Sequence, residues 1–72
     1  MENDKSISIN RFGKNLREQR VRRCLTRESF AELIGVSTRM VYDYESGVKH
    51  PSLPTLLAIR EVLNCPLDTL FG

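Results

Sequence analysis

From residue 10 onward the large apolar side chains fall at helical intervals, and each run closes on a glycine, a proline or a capping residue. Asn10 can cap a first helix in which Phe12, Leu16 and Arg20 stand at i, i+4 and i+8, so an arginine continues an apolar stripe. Thr26 opens a second helix: Glu28 complements the dipole of its first turn, Phe30, Ala31 and Ile34 share one face, and Gly35 stops it. A three-residue link, Gly35-Val36-Ser37, leads into a third helix over 37–45, with Ser37 as cap, Val41 and Tyr44 facing inward, and Gly47 beyond its end. Ser52 caps a fourth helix whose stripe is Leu53, Leu56, Leu57, Ile59 and Leu63; Pro54 falls in its first turn, where a missing N–H is tolerated. Residues 66–71 read as a last short helix. No segment alternates with period two over four or more residues between turn signals, so the pattern predicts an all-α, compact five-helix fold without strands. Residues 1–9 are mostly polar and lack helical spacing; they are read as a flexible N-terminal arm on a single domain spanning 10–72.

Composition narrows the class. Seventy-two residues make one domain with a small core and a stability of only a few kcal/mol. Hydrophobic residues at 40% and charged residues at 28% are ordinary for a chain that folds. No apolar run approaches the length of a membrane span and the first residues do not resemble a signal peptide, so a cytoplasmic protein is expected. Cys24 and Cys65 stand alone and are read as reduced, structural thiols, with no metal or other cofactor. The net charge is only +2, but residues 11–49 hold nine Lys/Arg against five acids, so the positive field belongs to the first three elements. A solvated basic face accounts for that charge as well as a polyanionic partner does.

The most informative stretch runs from Arg27 to Ser46, where Ala31, Gly35 and Val41 are spaced A-x3-G-x5-V. Two helices joined steeply by three residues must approach closely, which favours a methyl side chain at Ala31. Gly35 reverses the chain in a conformation that costs a residue with a Cβ roughly 1 kcal/mol or more. Val41 fills the angle from the second helix, with Phe30, Ile34 and Val36 around it. Together with the caps, this is a helix-turn-helix pattern.

Over residues 10–71 the chain resembles the phage-repressor family of helix-turn-helix proteins, the Cro/CI-like, xenobiotic-response-element type. The resemblance is carried by Phe12-Gly13, Leu16, Arg20, Leu25-Thr26, Ala31, Gly35-Val36-Ser37, Val41, Tyr44, Glu45, Gly47, Pro51-Ser52, Leu63 and Leu67-Asp68-Thr69-Leu70. It implies a lambda-repressor-like DNA-binding domain whose third helix enters the major groove. It also implies a homodimer on a near-palindromic operator and a role in transcriptional regulation, as a repressor.

Carried over by position, the resemblance puts Thr38, Arg39, Tyr42 and Asp43 on the outward face that touches base edges. Arg39 can fork onto guanine O6 and N7, and Thr38 can meet a thymine methyl or a phosphate. Asp43 can accept from cytosine N4, repel phosphates from the wrong register, or hold Arg39. Tyr42 is either a base contact or an aromatic covering the helix stem. Phosphate contacts are expected from Thr26, Arg27 and Ser37 near helix N-termini, and from Lys49 and His50 in the loop after the third helix. Arg20 and Glu45 are expected to form a partly buried structural ion pair.

The chain departs from the family in places. Arg27 stands where glutamine is usual, trading an amide that braces the recognition helix for a stronger charge. Cys24 replaces the glycine that ends the first helix, Gln19 an apolar residue, and Arg60 an alanine. Leu57, Val62 and Phe71 serve either the core or a homodimer contact. One histidine and no nucleophile arrangement or phosphate-cradling loop argue against an enzyme, and no small-molecule ligand is evident. A helix-turn-helix protein-interaction module, or an antitoxin-like partner subunit, is the alternative to a regulator of double-stranded DNA.

Overall fold

A computed structural model describes the backbone of residues 4–72 and the side chains of 11–72. Its described residues form five helices and no strand: α1 (Asp4–Arg22), α2 (Arg27–Ile34), α3 (Thr38–Ser46), α4 (Leu53–Leu63) and α5 (Leu67–Phe71). Each boundary has a local cause. Thr26 Oγ1 accepts from Ser29 N at 3.0 Å while Ser29 Oγ accepts from Thr26 N at 3.0 Å, a reciprocal box that fixes the start of α2. Ser37 Oγ accepts from Met40 N at 3.1 Å and Ser52 Oγ from Thr55 N at 3.5 Å, opening α3 and α4. Gly35 (φ 79°) and Gly47 (φ 84°) close α2 and α3 in the left-handed region, donating back to Ala31 O and to the carbonyls of Asp43 and Tyr44.

Two boundaries differ from the sequence pattern. The first helix starts at Asp4, six residues ahead of the expected cap, so Asn10 lies inside it. No Gly or Pro interrupts residues 4–12, and nothing local stops the helix from growing back beyond its apolar stripe. The expected arm therefore overlaps α1 from residue 4, and its first three residues lie outside the described ones. The third helix runs from Thr38 to Ser46, not 37–45, because Ser37 is its cap.

The core gathers one face from every helix. Phe12 and Leu16 of α1, Phe30 and Ala31 of α2, Val41 and Tyr44 of α3, Ile59 and Leu63 of α4 and Leu70 of α5 are all buried. Each large side chain among them contributes about 1.5–3 kcal/mol by leaving water. The short α5 has no side-chain cap of its own. It is held by packing and by α1, from which Asn15 Nδ2 donates to Leu70 O at 3.0 Å and Arg11 donates to Gly72 O at 2.9 Å. Phe71 stacks on Phe12 with ring centroids 5.0 Å apart, and Val62 is half-buried, so both serve the core. Leu53 and Leu57, one turn apart on α4, stay exposed.

Candidate nucleic-acid interface

The position of α3 is set by α1. At Gly13 the two helices touch so closely that a Cβ would lie 2.5 Å from Glu45 O and 2.7 Å from Tyr44 O. Only a residue without a side chain permits that approach, which sequence reasoning noted as a family feature without assigning it a role. Two turns along α1, the buried Arg20 reaches the same end of α3. Its Nε lies 2.6 Å from Glu45 Oε2 and its NH2 group 3.3 Å from Glu45 Oε1, while NH1 donates to Leu25 O at 2.7 Å. With side-chain exposures of 7% and 3%, this pair is desolvated, and the full set of hydrogen bonds on Arg20 is what makes its burial tolerable.

Glu45 has a second partner. Arg27 Nε, at the start of α2, donates to Glu45 Oε1 at 3.0 Å. The brace between α2 and α3, expected to be lost with the usual glutamine, is kept by an ion pair. Sequence reasoning missed it because α2 and α3 fold back on each other, bringing together residues 18 positions apart.

Outward from this anchor, Arg39 has an 80% exposed side chain, Tyr42 is 48% exposed, and Thr38 is exposed beside them. The Arg27 guanidinium carbon sits 5.5 Å from the centre of the Tyr42 ring and that of Arg39 sits 5.6 Å from it, both within cation–π range. Tyr42 thus carries a cation from each of the two crossed helices.

Asp43 departs from the expected outward face. Its side chain is 8% exposed and its Oδ1 lies 3.3 Å from Arg39 Nε, so it does not present a carboxylate to base edges. The turn after Gly47 folds against this residue, with Val48 N and Lys49 N both donating to Asp43 O. Of the three roles open to it, holding Arg39 fits this geometry.

The phosphate candidates lie around the rim. Thr26 and Ser37 are exposed, each with its hydroxyl acting as a helix cap; the Ser37 proton stays available to donate. Lys49 and His50 are exposed in the loop after α3. At the foot of α3, burial raises the pKa of Tyr44, with a hydrogen bond to the Thr55 side chain opposing the shift. No helix among the described residues is long and apolar enough to cross a membrane.

Two short helices crossed through a glycine turn, each presenting an arginine beside Tyr42, define a helix-turn-helix unit. Residues 16–70 match the family model described as Helix-turn-helix, and the chain belongs to this Cro/CI-like family of DNA-binding transcriptional regulators. It is 32% identical over 59 residues to YqaE of Bacillus subtilis, described as an uncharacterized HTH-type transcriptional regulator. Over 55 residues it is 38% identical to MJ1164 of Methanocaldococcus jannaschii, named as an HTH-type transcriptional regulatory protein. The chain spans 51% of the first and 17% of the second. Among solved structures it is similar to the restriction-modification controller protein C.AhdI from Aeromonas hydrophila, with a TM-score of 0.80 and 32% identity over 88% of this chain and 96% of that one.

Proposed function

We propose that this chain is a cytoplasmic transcriptional repressor that binds a near-palindromic operator as a homodimer, laying α3 in the major groove. The observation that carries the reading is the outer face of α3, where Arg39 and Tyr42 stand exposed on a helix pinned from behind by Arg20, Arg27 and Glu45. In this reading Thr38, Arg39 and Tyr42 meet base edges, and Thr26, Ser37, Lys49 and His50 approach phosphates, as does Arg27 unless its fork turns to a base edge. Leu53 and Leu57 supply an exposed apolar strip for the second copy. Two-fold symmetry then sets half-sites about 34 Å apart, one turn of B-DNA. Occupancy of an operator blocks a promoter without any further surface, which is why repression is the simplest output.

The test is binding to duplexes selected from a random pool, measured against salt. A logarithmic plot of affinity against salt should fall by about 0.9 per phosphate contacted. Arg39→Ala should relax base preference, whereas Lys49→Ala should weaken all sequences alike. Affinity that is independent of salt, with both variants unchanged, would end this reading and favour a protein partner.

A further inference from the structure

The two arginines beside Tyr42 are built alike. Each has its Nε beside a carboxylate that is itself nearly buried: Arg27 donates to Glu45 at 3.0 Å, and Arg39, with an 80% exposed side chain, forms an ion pair with Asp43 at 3.3 Å, the acids being 3% and 8% exposed. Each also leans on the Tyr42 ring, at 5.5 and 5.6 Å. Among the described residues neither guanidinium spends its terminal nitrogens on a protein acceptor. A hydrogen bond and the ring hold the stem of Arg27, an ion pair and the same ring guide that of Arg39, and each has a free fork at the tip.

A phosphate contact needs no such arrangement, since a point charge on a mobile stem serves it well. A fork held by Nε presents two parallel N–H groups, the geometry that matches O6 and N7 on the major-groove edge of guanine. Holding the stem beforehand reduces the rotamer entropy lost when the contact forms. Attachment to one ring also fixes the spacing, placing the two forks within about three base-pair steps of each other.

Building on the proposed DNA reading, we infer that Arg27, from α2, is a second base-reading residue, and that with Arg39 and Tyr42 it forms a two-fork reader for a pair of nearby guanines in each half-site. Asp43 and Glu45 are positioning residues that aim the forks without touching DNA. The site thus draws specificity from both helices of the motif. The neutral amide usual at position 27 could not supply this fork.

The experiment compares wild type, Arg27→Lys, Arg27→Ala and Asp43→Asn by random-pool selection and by salt titration on the winning duplex, with helicity followed by circular dichroism. Arg27→Lys keeps the charge and removes the fork. It should lose the preference for one guanine per half-site, with discrimination there falling roughly 5- to 150-fold, the range for one bidentate pair. Its salt slope should match that of wild type. Asp43→Asn should keep the fold, because Arg39 remains solvated, but lower discrimination at the other guanine and raise affinity for unrelated DNA by removing an acid. If Arg27→Lys and Arg27→Ala leave the selected sequence unchanged, and Arg27→Ala only weakens every duplex alike while lowering the slope by about 0.9, Arg27 is a phosphate contact and the inference is overturned. Wild type that selects no sequence and shows no salt dependence would instead sink the DNA reading itself.

Discussion

Replacing Gly13 by alanine sets two well-understood effects against each other. In an isolated helix this change is favourable by about 1 kcal/mol, because glycine loses more backbone entropy on folding. Here the added Cβ meets Glu45 O at 2.5 Å, Tyr44 O at 2.7 Å and Glu45 C at 2.9 Å, where ordinary carbon contacts begin at about 3.5 Å. All three are backbone atoms, and Tyr44 O already accepts from Gly47 N in the turn that ends α3, so the carbonyls cannot simply rotate aside. The end of α3 must retreat by roughly 1 Å, and overpacking of this kind costs about 1–3 kcal/mol. The same retreat stretches the 2.6 Å contact between Arg20 and Glu45, a buried pair that depends on its geometry. The clash outweighs the propensity gain, leaving a net loss of about 1–2 kcal/mol, or roughly 5–15 °C in Tm for a domain of this size. Urea and thermal unfolding followed by circular dichroism at 222 nm measure it, with Lys14→Ala, an exposed position on the same helix, as the control. Gly13→Ala with a Tm equal to or above wild type, and with unchanged DNA affinity, would refute the claim that this contact positions α3.

Four further outcomes follow from the same geometry. Cys24 closes α1 at φ 58°, a conformation in which a Cβ is strained, so Cys24→Gly should stabilise by about 0.5–1 kcal/mol in urea unfolding; a loss of stability would contradict that account. Glu45→Ala leaves the buried Arg20 uncompensated and should cost about 3 kcal/mol or more, leaving the domain largely unfolded by circular dichroism. Arg27→Ala should cost far less, because that side chain is 40% exposed. The pKa of Tyr44 is raised by burial, so the folded state favours the neutral phenol. Its contribution is complete below the unfolded value of about 10 and is lost as pH climbs through that value toward the higher folded one. Tyr44→Phe should therefore flatten the decline in Tm above pH 10, and parallel profiles for the two proteins would contradict it.

Most of the fold was legible because its signals are local. Thr26, Ser37 and Ser52 cap the helices that their positions announce, and Gly35 and Gly47 take up the left-handed turns that the motif requires. Helical spacing separates the buried Val41 and Tyr44 from the exposed Arg39 and Tyr42. Sequence pattern failed where a neighbour decides. The resemblance, carried over by position, placed Asp43 beside Arg39 on the outer face, but the turn that folds back after Gly47 and the guanidinium of Arg39 leave that carboxylate little exposed. Periodicity could not show the bond from Arg27 to Glu45 or the reason for Gly13, since both depend on how α1 and α2 cross α3. It also began the first helix at its apolar stripe, whereas α1 extends back to Asp4 without one.

The most direct test of the groove-facing surface is to titrate the isotopically labelled chain with its selected duplex and follow the amide and arginine side-chain resonances by NMR. The account predicts the largest shifts at Arg27, Thr38, Arg39 and Tyr42, smaller ones at Thr26, Ser37, Lys49 and His50, and little change along the outer face of α1. Shifts concentrated on Leu53, Leu57 and the rest of α4, with those of α3 unmoved, would contradict it.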